Sequence, residues 1–293
     1  MKPKKSLGQN FLTSPTIVGD IINAGKVLAS DTVLEIGPGK GALTKALLAT
    51  GAKVIAIEKD DELVIELGNI FNDEIENGQL KIVHNDIQNL STKNFSEIGI
   101  VKEKYKLIAN IPYYITGEII RAFLSGYQGS NKETLDCQPE LMVLLVQKEV
   151  AERIAGERQK DGKPKALKEN LLSLSVKAYG TPKYIQTVKA GSFFPKPNVD
   201  SAIILIENIS KNFFNKSKKE EDDFFRTIHA GFAHKRKIAI SNLYHTSEVG
   251  DLAKKTNLES FFEQNKIPLK ARPEDINLKE WQKISQFYII HTT

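Results

Sequence analysis

An α/β sheet of Rossmann type followed by a small all-helical domain is the architecture this sequence predicts, and three observations carry it. Apolar runs ending in Glu58, Asp86 and Asn110 succeed one another along the chain, with helix-patterned or polar stretches between them. An earlier run, Thr32–Ile36, leads into Gly37-Pro-Gly-Lys-Gly41 and then a helical pattern. Such a turn lets backbone approach a ligand at a helix N-terminus. Past Ser210 no further strand is predicted, and apolar residues fall at helical spacing. The domains read as 1–209, a sheet domain with an N-terminal extension, and 210–293, a helical domain.

Element by element, the basic opening Lys2–Lys5 precedes Phe11, Leu12, Ile17, Ile21 and Ile22, with Gly8 permitting a bend and Ser14-Pro15 starting a helix. Docked by those apolar anchors, the extension would hold Asn10 near a ligand. After the glycine loop comes a helix over Ala42–Ala49, closed by Gly51. Lys53–Ile57 is the next strand. It ends in Glu58, roughly 20 residues past the loop, where an acid accepts from ribose hydroxyls. A helix from about Asp60 to Phe71 and a strand over Leu80–His84 lead to Asp86, placed to accept from an adenine amine.

Tyr105–Ala109 is a buried strand that stops at Asn110, because Pro112 cannot donate to a ladder and keeps Ile111 extended. Asn110 thus stands in the crevice where open α/β sheets bind ligands. The Asn110 amide, the Pro112 carbonyl and the Tyr113 ring together suit a planar base with an exocyclic amine: two acceptors for its N–H bonds and a face to stack on. Each residue also has a plainer reading, aspartate as a cap and Asn-x-Pro as a turn. Three successive strands closing on an acid or amide favour a site.

Gly117–Leu124 reads as a helix, 126–139 as a surface loop, Leu141–Val146 as a buried strand and Gln147–Arg153 as a helix. A charged loop over Gly156–Lys165 precedes a helix over Lys168–Tyr179, stopped by Gly180 and Pro182. The strands Tyr184–Ala190 and Ala202–Glu207, joined by a short proline-rich connection, are expected to pair antiparallel and close the sheet. Lys211–Lys219 reads as a lysine-rich linker. Beyond it Phe224, Phe225, Ile228 and Phe232 mark a helix core rather than a cofactor box, and His234-Lys235-Arg236-Lys237 is a basic cluster that either meets phosphate or is a solvated face.

The bulk numbers bound the rest. A net charge of +5 across 293 residues favours an acidic partner. A lone Cys137 excludes an internal disulfide and a thiolate-rich zinc site, and the five histidines lack metal-ligand spacing, so no metal is expected. Leu141–Val146 is far too short to span a bilayer, and no apolar stretch follows the basic start, so a soluble, cytoplasmic protein is expected.

The chain resembles the ribosomal RNA adenine N6,N6-dimethyltransferase family. The resemblance lies in Lys5-Ser-Leu-Gly-Gln-Asn-Phe-Leu12, Glu35-Ile-Gly-Pro-Gly-Lys-Gly41, Asn110-Ile-Pro-Tyr113, Gln147–Arg153, Phe193-Phe-Pro-Lys-Pro-Asn-Val-Asp-Ser201 and Phe232-Ala-His-Lys-Arg-Lys237. It implies a class I S-adenosylmethionine methyltransferase sheet. It also implies cofactor contacts at Asn10, Leu12, Gly37, Glu58, Asp86 and Asn110, and a target base stacked between Tyr113 and Phe193. Lys235, Arg236 and Lys237 would meet RNA. The implied partner is small-subunit ribosomal RNA in an assembling particle, bound by a monomer. Three departures stand out: Asn85 where glycine is common, Tyr114 where asparagine is usual, and a 156–170 segment lacking the usual Tyr-Gly-x-Leu-Ser. Competing readings are an antibiotic-resistance dimethylase acting on large-subunit RNA and a non-catalytic assembly or transcription factor of the same fold. A nicotinamide dehydrogenase would explain the glycine loop but not Asn110-Ile-Pro-Tyr113.

Overall fold

The computed structural model describes residues 3–4, 7–126, 136–156, 168–234, 236–246 and 252–290. In chain order the elements are β1 (Phe11–Leu12), α1 (Pro15–Gly25), β2 (Thr32–Ile36), α2 (Ala42–Ala49), β3 (Lys53–Glu58), α3 (Asp61–Ile70), α4 (Asn72–Glu76), β4 (Leu80–His84), α5 (Thr92–Ile98), β5 (Lys106–Asn110) and α6 (Thr116–Ser125). Then follow β6 (Leu141–Gln147), α7 (Lys148–Ala155), α8 (Leu171–Tyr179), β7 (Thr181–Val188), β8 (Phe193–Phe194) and β9 (Ser201–Glu207). The remaining helices are α9 (Lys218–Gly231), α10 (Ala239–Thr246), α11 (Leu252–Gln264) and α12 (Leu278–Ile290).

Seven strands form one sheet in the order β4-β3-β2-β5-β6-β9-β7. The first five are parallel, β9 runs antiparallel to β6, and β7 antiparallel to β9. Helices cover both faces, which is why the strands read as continuous apolar runs instead of alternating ones. The chain order reverses beside β2, whose neighbours are β3 and β5. That switch point opens a crevice at the strands' carboxyl ends, where Gly37, Glu58, Asp86 and Asn110 emerge.

The differences from the sequence reading have physical causes. Strand β7 starts at Thr181, earlier than the expected Tyr184, and runs through Pro182. It can do so because β7 is the sheet edge, where one side of the ladder needs no donor. The stretch read as a lysine-rich linker is instead packed: Phe214 is buried, its ring 5.2 Å from Tyr179 and 5.6 Å from Phe224. Two phenylalanines embedded among the lysines decide that conformation. Helices α4 and α5 were not expected. α5 is fixed by a Ser91/Asn94 capping box and buries Phe95 alone, too little apolar patterning to register as a helix. The 126–139 and 156–165 loops lie largely outside the described residues.

Apolar packing divides between the two faces of the sheet. One core gathers α1 and α2 against β2 and β3 and includes Leu12 and Phe193. The other continues from the opposite face through α6 and α8 into α9, α10 and α12. The C-terminal helices close around Trp281, fully buried, and a Cβ at Gly231 would lie 2.1 Å from its ring. Any larger residue at 231 would force α9 and α12 apart.

Candidate active site

The glycine loop contains three left-handed glycines with different duties. A Cβ at Gly39 would meet Phe11 Cδ1 at 2.8 Å, and one at Gly41 would meet Phe71 Cε2 at 2.6 Å, so both are kept small by packing. Gly37, at φ +65°, has nothing within 4 Å of that position. Its missing side chain leaves open space in the crevice, as close approach of a ligand to backbone requires.

Glu58 ends β3 with its carboxylate almost wholly buried. Oε1 accepts from the backbone N–H groups of Lys59 (2.8 Å) and Asp60 (2.9 Å), and Oε2 from Gly39 (3.2 Å). Burial pushes its pKa upward against those three donors. Asp86 caps the turn after β4, accepting from Gln88 N–H at 3.0 Å, and pairs with Lys59 Nζ at 2.8 Å. Asn85, the departure beside it, donates its backbone N–H to the Glu58 carbonyl at 3.0 Å and keeps the β3 and β4 ends in step.

A second acid on the crevice wall, Glu35 of β2, is 1% exposed and accepts from Thr44 Oγ1 at 2.7 Å. Burial, with a smaller contribution from the Glu58 charge, pushes its pKa up to about 8.

The N-terminal extension lies along the same crevice. β1 pairs with β8, Phe11 opposite Phe194 and Leu12 opposite Phe193. Asn110 donates its side-chain N–H to the Asn10 carbonyl at 3.0 Å, so the two residues meet across 100 positions of sequence. Tyr113 shares a 2.7 Å hydrogen bond with Ser201 Oγ, which fixes its ring, and burial raises its pKa. The Pro112 carbonyl receives Ile115 N–H at 3.2 Å and Thr116 Oγ1 at 3.4 Å. Asn10, Leu12, Gly37, Glu58, Asp86, Asn110, Pro112 and Tyr113 therefore line one crevice.

Phe193 is not on that wall. Only 4% exposed, it packs in the core beside Leu12, while its neighbour Phe194 is 59% exposed. Strand alternation makes the difference, since β8 sends successive side chains to opposite faces. Tyr114, also exposed, sets its ring against Gly8 at the mouth. Arg236 and Lys237 are exposed on the turn before α10; Lys235 and most of the 156–170 segment lie outside the described residues.

Sequence reasoning did not single out Glu35, Lys59, Asp60 or Gln9. Glu35 could have been noticed as an acid inside an otherwise apolar strand. The others became visible only once the extension was seen to lie against the β3 end.

The profile of the family described as Ribosomal RNA adenine dimethylase matches residues 1–287. The Ribosomal RNA small subunit methyltransferase A of Dehalococcoides mccartyi is 34% identical over 288 residues, 98% of this chain and 89% of the relative. The protein of the same name from Clostridium botulinum is 34% identical over 285 residues, 97% and 93% of the two chains. Among solved structures, a dimethyladenosine transferase from Plasmodium falciparum superposes with a TM-score of 0.70 at 24% identity, covering 94% of this chain and 97% of that one. The 23S rRNA methyltransferase ErmE gives a TM-score of 0.69 at 18% identity, covering 94% and 98%. These two likenesses concern the fold.

Proposed function

Since the chain belongs to the ribosomal RNA adenine dimethylase family, we propose that it transfers methyl groups from S-adenosylmethionine to adenine N6 of small-subunit (16S) ribosomal RNA, forming N6,N6-dimethyladenosine at two adjacent adenosines. In this reading it works in the cytoplasm, as a monomer, on assembling small subunits. The sequence relatives favour that subunit over the large one.

The crevice suits a nucleoside cofactor bearing a sulfonium and an ammonium. Gly37 leaves room for backbone approach, Glu58 is prealigned by three N–H donors to receive ribose hydroxyls, and Asp86 stands at the next strand end. Asn10, Leu12 and Asn110 complete the wall. When bound, the cofactor supplies an electrophilic methyl group.

The observation that carries this reading is the Asn110 amide. Its N–H is engaged by the Asn10 carbonyl, so its oxygen is the atom offered to a substrate amine. Adenine N6 is a poor nucleophile because its lone pair is delocalised into the ring. Asn110 Oδ1 and the Pro112 carbonyl, accepting from N6–H, favour a more pyramidal nitrogen with its lone pair turned toward the methyl. Pro112 is the weaker acceptor, since Ile115 N–H already occupies it and Thr116 must yield its 3.4 Å contact. Positioning of this kind supplies much of the acceleration, and the proton leaves to water after transfer. Extracting the base costs a few kcal/mol. Stacking on Tyr113, whose ring Ser201 holds in place, offsets about 1–3 kcal/mol of that. A monomethylated amine still offers one N–H, so rotation about the C6–N6 bond permits a second transfer.

Incubation of the enzyme with labelled cofactor and unmethylated small subunits, followed by digestion and mass analysis, tests the reading. Dimethyladenosine in small-subunit RNA is expected. Monomethyladenosine as sole end product, label only in large-subunit RNA, or RNA binding with no transfer would overturn it.

A further inference from the structure

We infer that Asp60, through Gln9 and the N-terminal extension, is a positioning residue for methyl transfer: it sets the orientation of the Asn110 amide. The inference rests on the reading of Asn110 given above. As the residue before α3, Asp60 has an ordinary job, accepting Glu62 N–H at 3.1 Å to cap the helix. A cap needs one oxygen and is normally in water. Here the residue is 2% exposed and both oxygens are engaged elsewhere: Oδ1 by Lys4 Nζ at 2.7 Å, Oδ2 by Gln9 Nε2 at 2.8 Å. Burial alone would raise the carboxyl's pKa, but the Lys4 and Gln9 bonds hold it below the usual range, so it is a fixed charge at neutral pH.

Gln9 is held at both ends, because its Oε1 accepts Lys4 N–H at 2.7 Å. The next residue is Asn10, whose side chain donates to the Gly8 carbonyl at 3.2 Å and whose own carbonyl receives the Asn110 amide. Gly8, at φ +61°, brings the backbone flat against Tyr114: a Cβ there would lie 3.2 Å from the ring. The path from Asp60 to Asn110 thus consists of short hydrogen bonds and two covalent neighbours, with no free rotor between them. Without the Asp60 carboxylate, Gln9 loses its side-chain anchor, Lys4 keeps only its 3.1 Å pair with Glu62, and the Asn10 carbonyl can withdraw. The Asn110 amide is then free to turn its N–H groups, instead of its oxygen, toward the target amine. Asp60 also donates its backbone N–H to Glu58, but that bond survives any side-chain change.

Asp60→Ser separates the two jobs, because serine still caps a helix but cannot reach the extension with two charged oxygens. Gln9→Ala breaks the same path without touching the helix. Single-turnover transfer to unmethylated small subunits at saturating cofactor should slow about 10–100-fold in each variant, the range for a displaced catalytic group, with particle affinity unchanged. In an Asn110→Ala background neither change should slow the residual rate further, since the residue they act through is gone. Equal penalties in both backgrounds, or wild-type rates, would overturn the inference. A second readout does not depend on the RNA substrate. The Asn110 side-chain amide proton bonded to the Asn10 carbonyl, followed by nitrogen-edited NMR, should exchange more slowly in the wild type than in Asp60→Ser. Equal exchange in both would overturn the inference even if the enzyme proved to act on another RNA.

Discussion

The two ends of the crevice are built differently. At the end proposed for the cofactor the chemistry is inside the protein: Glu35 and Glu58 are nearly inaccessible, Glu58 with both oxygens held by backbone N–H groups and Glu35 bonded to Thr44. At the end proposed for the base Tyr114 and Phe194 are largely in water, Phe193 is buried, and the Tyr113 ring is tied down by Ser201. A small ligand of constant shape can be met by a preformed site. A base drawn out of folded RNA would bring its own surroundings, and exposed rings suit such a partner. Substitutions at the cofactor end should therefore change binding of a small molecule, and those at the base end should change rate or particle affinity.

The largest effect expected is at Gly37. Gly37→Val combines a left-handed backbone that a β-branched residue disfavours with two methyl groups placed in space the cofactor needs. Calorimetry with S-adenosylhomocysteine should show no measurable binding, while far-ultraviolet circular dichroism stays native. Gly39→Val should instead lower stability, through Phe11. Equal cofactor affinity in Gly37→Val and wild type would erase the distinction between the two ends.

The difference between the ends also explains what the sequence could convey. Strand ends recur at a readable spacing, so the sequence alone sets Gly37, Glu58, Asp86 and Asn110 on one edge. Contacts made by the extension could not. Whether Gln9 reaches Asp60 depends on how the chain returns across a separation of 51 positions, and no local pattern records that. Phe193 and Phe194 show a different limit: two adjacent phenylalanines look alike until strand pairing fixes which faces the core. The Lys211–Lys219 stretch failed for a third reason, since composition outvoted two aromatic residues that packing later used.

Glu35 sharpens the picture of the cofactor end through pH. Its folded-state pKa of about 8 lies above the ordinary value of 4.5, so the folded protein holds a proton that the unfolded chain releases. Stability should fall as pH rises across that window, by at most roughly 4–5 kcal/mol. Glu35→Gln, which resembles the protonated acid, should flatten this part of the curve. Denaturant unfolding at pH 5 and pH 8.5 would measure it; the same slope in both proteins would show that Glu35 is ionised throughout.

At the base end the two ring positions should separate. Phe193→Ala empties a core site and should cost about 3–5 kcal/mol of stability. Tyr113→Ala should leave more of the fold intact and lower kcat/KM on small subunits by the equivalent of about 1–3 kcal/mol, the worth of one stacked base. Phe194→Ala should behave like Tyr113→Ala if the exposed ring of β8 is the one a base meets. A Phe193 variant of native stability whose only defect is in transfer would show that this ring leaves the core when RNA binds.

The smallest effects belong to the basic turn before α10, and they distinguish phosphate contact from a solvated face. Arg236 and Lys237 are exposed there. A further cation lies near α9: His229 has its pKa lowered by burial first and then by the charge of Arg121, an exposed residue of α6. Each true phosphate contact releases a counterion, so removing it lowers the slope of log Kd against log salt by roughly 0.7–0.9. Arg236→Ala and Lys237→Ala should each flatten the slope by that amount for small subunits, and Lys235→Ala is the matching test at the third position. Tyr113→Ala should leave the slope unchanged, because a stacking ring displaces no ions. An unchanged slope in the Arg236 and Lys237 variants would return them to the solvent.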